Sequence, residues 1–367
     1  MTDTRSRARG QAPTPARAGA STPPTARPAR TERHHAGAIL AGTVLLVAVF
    51  VLSLSVGTTA LPLSDVLASL LGGSGGPADF VVRELRLPRA VAGICVGAAL
   101  AVAGALTQTV TRNPLASPDI IGVTSGASLG AVAVIVFGGS AGGASGAVAS
   151  VGVPAAAMAG GAIASLLVAL VARAGERVVL VGVGVTAMCQ SAVTWLLVSG
   201  DVTDAGRAAT WLAGSLSGRV WTDVAPVVVA IVALTPATWL LTRELAVLVL
   251  GDDVATGLGA NPSRTRWVAL GASTVLAGLA TAAAGPVAFV GLCAPALAVR
   301  IARVERPPLV LSALVGAVLV SGSDLVARNL FGWLGLGPTE LPVGIVTGII
   351  GAVYLVVLLH RRAGRST

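Results

Sequence analysis

The chain has 367 residues, of which 54% are apolar and only 11% charged, whereas an ordinary soluble domain carries roughly 25% charged residues. That deficit excludes a water-covered globular surface, so lipid must solvate most of the chain. The net charge is +9 and all 25 basic residues are arginines, many of them in tails flanking the apolar body, which argues against a nucleic-acid partner.

Residues 1–35 hold Arg5, Arg7, Arg9, Arg17, Arg27, Arg30 and Arg33 among Pro, Ala and Thr. This composition predicts a disordered, topology-setting cytoplasmic tail. A helix needs about 20 apolar residues to cross a bilayer. Charge-free runs of that kind occur at 36–57, 90–111, 120–172, 178–200, 224–242, 267–299, 307–323 and 341–359. The third run is long enough for two crossings, turning in the Gly/Ser-rich patch 138–146, and the sixth is broken at Gly285-Pro286. The prediction is an all-α polytopic membrane protein of about ten transmembrane helices, with a ten-helix domain over residues 36–362 and a short tail at 363–367.

An even number of crossings puts both termini on one side. The arginine-rich ends, including Arg361, Arg362 and Arg365, place that side in the cytoplasm by the positive-inside rule. Walking the chain from there assigns Arg112, Arg173, Arg177, Arg243, Arg264, Arg266, Arg300, Arg303 and Arg306 to the inside, and Arg83, Arg86, Arg89, Arg207, Arg219 and Arg328 to the outside. Besides the N-terminal tail, only residues 243–266 read as soluble: a mixed-charge cytoplasmic stretch expected to form two short helical pieces around Gly251, Gly257 and Gly259. Trp211 and Trp221 fall in an external segment, where an interfacial aromatic belt is the simplest role.

Several chemistries are missing. A Walker A loop needs a lysine against the phosphates, and the chain has none; it is therefore expected to bind no ATP itself. Cys95, Cys189 and Cys293 are isolated in apolar stretches, and His34, His35 and His360 lie at the ends of the apolar body. Neither set has a metal-ligand spacing. No catalytic motif is present, so no enzymatic activity, metal or cofactor is expected in this chain. Asp324 is the one carboxylate within a span, and its i, i+4 spacing to Arg328 suggests a structural ion pair, with ion coupling as the alternative. Gln108 is polar deep in the second span, where pairing helices and lining a path are both open.

The run Leu85-Arg86-Leu87-Pro88-Arg89, then Gly97-Ala98-Ala99-Leu100, Gly104 and Gln108, then Arg112-Asn113-Pro114-Leu115-Ala116 with Pro118 and Gly122, resembles the opening signature of the FecCD-type permeases. Trp211-Leu212 with Gly214-Ser215-Leu216, Phe289-Val290-Gly291-Leu292 with Pro295 and Arg300, and Glu340-Leu341-Pro342-Val343-Gly344 extend the likeness from about residue 36 to about residue 362. Two departures stand out: Ala296 occupies a position that is usually histidine in that family, and Gly175-Glu176 replace small hydroxyl residues of the vitamin B12 importer.

The resemblance implies a type II ABC importer permease in the cell membrane that takes up a ferric siderophore, or alternatively haem or vitamin B12. It implies a second permease copy or paralogue, cytoplasmic ATPase subunits that bind the ATP and Mg, and an extracytoplasmic solute-binding protein. It assigns docking of that binding protein to Arg86, Arg89 and Arg328. The ATPase-coupling segment becomes Leu250, Gly251, Asp252, Asp253, Ala255, Gly257, Leu258 and Gly259, and the path or gate takes in Gln108, Asn113, Gly175 and Glu176. Outside that family, a gradient-driven secondary transporter and a membrane-embedded enzyme remain as competing classes.

Overall fold

A computed structural model of the chain describes residues 28–57, 60–72, 76–140, 152–172, 177–337 and 339–363. The first helix, α1 (Pro28–Ser55), is followed by a short external group: α2 (Leu63–Leu71), α3 (Pro77–Phe80) and a π-helical segment (Val81–Arg86) that runs directly into α4 (Leu87–Thr111). A single 3₁₀ turn (Pro118–Ile121) leads to α5 (Val123–Ser140), then α6 (Val153–Ala172), α7 (Arg177–Ser199), the short external α8 (Val202–Leu212) and α9 (Trp221–Leu248). After α10 (Asp252–Gly257) come α11 (Pro262–Ala284), α12 (Val290–Ala302), α13 (Leu309–Trp333) and α14 (Val343–Ala363).

Among the described residues, seven helices are long and apolar enough to cross a membrane, and three shorter apolar ones lie in α5, α12 and α14; together they account for the ten expected crossings. The protein is a multi-pass membrane protein. Two expectations need correction. Helix α1 begins at Pro28, so residues 28–35 belong to it and not to the predicted tail. The stretch 243–266 is not two short helices: α9 continues to Leu248, only α10 stands alone, and Pro262 already opens α11. Between α1 and α4, Ser69 donates to Asp79 at 2.6 Å and Arg83 Nε to the Ser69 carbonyl at 2.7 Å, which joins α2 to the helical lead into α4.

Helix α4 is the axis of the molecule. Buried residues make up 72% of its apolar window, against 17% for α1, and it packs on α13, α11, α12 and α9. Its residues explain this. Small side chains let helices approach closely where lipid supplies no hydrophobic drive between them. A Cβ on Gly97 would collide with the Gly316 carbonyl of α13, and one on Gly316 would collide with the Gly97 carbonyl. Gly104 meets Gly291 of α12 in the same way.

The break at Gly285-Pro286 is satisfied from outside the helix. The Ser215 N–H donates to the Ala284 carbonyl at 2.7 Å, and the Gly344 N–H to the Gly214 carbonyl at 3.1 Å. Backbone groups freed by a break in a membrane protein need such partners. The external loop after α8 thereby locks the ends of α11 and α14 together.

Candidate functional site

The sequence-nominated residues gather at the two ends of α4. At the outer end, the last turn of α1, the start of α4 and the end of α13 converge. The Arg86 guanidinium is buried and donates to the carbonyls of Leu54 at 2.7 Å and Ser55 at 3.1 Å. Arg328 donates to the Ser53 carbonyl at 2.7 Å and to Ser53 Oγ at 2.9 Å. Arg89 forms an ion pair with Asp324 at 2.9 Å and another with Glu340 at 2.9 Å. The structure thus brings Arg86, Arg89 and Arg328 into one cluster, each engaged with its own chain. The predicted pairing of Asp324 is corrected: its partner is Arg89 from α4, at Nε and Nη2, while Arg328 turns away toward α1. A fork of donors from a neighbouring helix meets a carboxylate in bidentate fashion, which helical i, i+4 neighbours do not offer.

At the inner end, α4 terminates on Arg112 in left-handed conformation, φ 51, with the Asn113 N–H returning to the Gln108 carbonyl at 3.2 Å, a common helix stop. Asp252 at the start of α10 accepts from Arg112 at 2.7 Å and from Arg266 at 2.7 Å, and Arg112 also reaches the Leu248 carbonyl at 2.5 Å. Hydrogen bonds from Arg266 and then Arg112 hold the Asp252 carboxyl below the usual carboxylate range. One carboxylate therefore ties α10 to both α4 and α11. Gly251 (φ 112) and Gly259 (φ 82) flank α10, supplying the turns that L side chains resist.

Within this segment Ala255 faces inward at 0% exposure, whereas Leu250, Val254 and Leu258 are 63%, 49% and 64% exposed. Val254 lies on α10 itself, and Leu250 and Leu258 lie in the turns just before and after it, so three apolar side chains are exposed around one short helix. Val254 was not among the nominated residues, although it stands between two of them in the sequence. Arg112, Arg266 and Glu340 were likewise missed as partners, because only the fold brings them to Asp252 and Arg89.

Of the path candidates, Gln108 and Asn113 line one cavity of about 940 Å³ at the inner end of α4, together with Ala296, Arg300 and Tyr354. Gln108 Nε2 donates to the Leu292 carbonyl of α12 at 3.1 Å, and the Arg300 guanidinium lies 5.3 Å from the Tyr354 ring centre. Gly175 and Glu176 lie outside the described residues. No group of His, Cys, Asp and Glu suited to a metal ion occurs among the described residues.

Ten apolar helices, the buried small-residue helix α4 among them, with an ordered charge cluster at one end of α4 and the short helix α10 at the other, make the frame of a membrane permease. The chain belongs to the FecCD transport family, whose model matches residues 45–361. It is 39% identical over 310 residues to the ferric enterobactin transport system permease protein FepG of Escherichia coli (strain K12), covering 84% of this chain and 91% of that one. It is 37% identical over 322 residues to FepD, a second permease protein of the ferric enterobactin system in the same organism, covering 87% and 93%. Among solved structures, an inward-facing metal-chelate type ABC transporter superposes with a TM-score of 0.74 at 28% identity, covering 88% of this chain and 98% of that chain.

Proposed function

We propose that this chain is the permease of an ATP-binding-cassette importer that carries a ferric siderophore across the cytoplasmic membrane, with the ATP and Mg held by a separate ATPase subunit. The observation that carries the proposal is the exposure of three apolar side chains, Val254 on α10 and Leu250 and Leu258 in the turns that flank it. On the cytoplasmic side no lipid covers them, and apolar side chains around a short helix fit a groove in a partner protein. The Asp252 clamp then transmits a push on α10 to α4 and α11. The relatives FepG and FepD, two permeases named for one ferric system, support a siderophore cargo and a paired arrangement with a second permease, copy or paralogue.

At the outer end, Arg86, Arg89 and Arg328 hold together the platform for an extracytoplasmic binding protein, through bonds within the chain that fix the ends of α1, α4 and α13. Gln108 and Asn113 line the inner stretch of the path, in the cavity they share with Ala296, Arg300 and Tyr354. The test is uptake of radiolabelled ferric siderophore into proteoliposomes. Accumulation is expected only with the companion ATPase, the binding protein and ATP present. Uphill uptake by the purified chain alone, or uptake driven by a proton gradient without ATP, would overturn the assignment.

A further inference from the structure

On the membrane-facing side of α4, away from both clusters, two adjoining cavities of about 470 and 260 Å³ share His35, Thr242, Pro308 and Leu309 as lining. Together they form one elongated crevice. Its floor is the small-residue face of α4 at Ala99 and Val102. One wall is α9, at Leu234 and Thr235, and the other is the start of α13, at Leu309 and Ala313.

The crevice is polarised along its length. Its deeper part lies among apolar side chains and helix faces open to the bilayer: Val232 of α9 is 66% exposed and Val310 of α13 is 61% exposed. Its mouth lies at the cytoplasmic level, where α1 and α13 begin and α9 nears its end. There Arg306 donates to the Thr242 carbonyl at 3.3 Å, a long bond that leaves most of the guanidinium donors available. Beside it the Nδ1 atom of His35 is buried and has no hydrogen-bond partner among the described residues.

We propose that this crevice holds one anionic phospholipid of the inner leaflet, with an acyl chain between α9 and α13 over the floor of α4 and its phosphate at Arg306 and His35. The charge matches: basic pockets between helices on the cytoplasmic side suit anionic headgroups, whose net charge is not cancelled by an ammonium group, and an apolar helix would leave the donors at the mouth unused. A ring nitrogen that lacks a protein partner gains one in a phosphate oxygen. A lipid seated there would wedge α9 against α13, and α9 runs directly to the Asp252 clamp through Leu248.

The probe is native mass spectrometry of the full-length chain released from nanodiscs of equal phosphatidylglycerol and phosphatidylethanolamine. The expected result is retention of one phosphatidylglycerol in preference to phosphatidylethanolamine. Arg306→Gln should lower that retention roughly fivefold, the factor one arginine near an anionic surface is worth. Thr235→Trp, at an exposed wall position that a ring can fill without disturbing the core, should abolish retention of both lipids while the melting temperature stays that of the parent. Equal retention of the two headgroups, indifference to Arg306→Gln, or undiminished lipid on Thr235→Trp would overturn the proposal. So would cysteine cross-linking of Thr235→Cys to a second copy, or lipid that binds only after residues 2–27 are deleted, since the crevice would then belong to a protein segment.

Discussion

Asp324 and Glu340 hold the same arginine, yet burial makes them unequal. Asp324 is 4% exposed and Glu340 34% exposed at the side chain. Removing one partner of a buried pair strands the other charge and costs about 3 kcal/mol or more, whereas an exposed pair is worth about 0–1 kcal/mol. Asp324→Asn is therefore expected to lower the melting temperature in detergent markedly, with Glu340→Gln nearly neutral; equal effects would show that the two carboxylates share the load. Asp252 follows a different rule, being on the surface. Its folded-state carboxyl titrates below its ordinary value because Arg266 and Arg112 favour the charged form. The clamp's contribution is thus full above the ordinary carboxylate pKa and lost as pH falls through the lower folded one. The hydrogen-exchange protection factor of α10, corrected for the intrinsic pH dependence of exchange, should stay flat from neutral pH down to that range and fall only below it; a fall near neutrality would refute the clamp. At this scale the sequence names nearly all of the charged residues but not their partners: Asp324 is visible as an intramembrane carboxylate, while its pairing with Arg89, 235 residues away, is a property of the fold alone.

At the scale of elements, apolar run length predicted the ten crossings well, because the bilayer imposes a length that composition must obey. The break at Gly285-Pro286 was legible for the same reason, as proline and glycine interrupt a helix locally. What stayed hidden were the elements outside the apolar rule. Helix α2 and the π-helical lead into α4 are short and mixed, and α9 overruns its apolar stretch to Leu248 because nothing in residues 243–248 stops a helix. Helix α10 owes its independence to the positive φ of Gly251 and Gly259. Open space surrounds Gly259, so Gly259→Trp would be opposed by backbone strain of about 1–2 kcal/mol and not by a clash. It is expected to misdirect α10 and uncouple ATP hydrolysis from uptake, and Leu258→Arg to weaken ATPase association severalfold without altering membrane insertion. Normal coupled transport by both variants would remove α10 from the mechanism.

For the whole molecule, α4 joins the outer arginine cluster to the inner clamp through one buried helix, so a shift at either end is felt along the same axis. Its glycine crossings with α13 and α12 leave little freedom for independent motion, which favours rocking of α4, α12 and α13 as a block. That arrangement also bears on how the protein is made. Arg86 and Arg89 must be carried to the far side of the membrane as α4 enters, against the usual preference for retaining positive charge inside, and the carboxylates that pair with Arg89 emerge from the ribosome only with α13 and the segment after it. Until then α4 sits in the bilayer with an uncompensated pull toward the wrong orientation. Chains truncated after α11 should accordingly show a mixed topology, detectable as loss of external labelling at Arg83→Cys, while the full chain labels completely: the last helices to be synthesised fix the direction of the second.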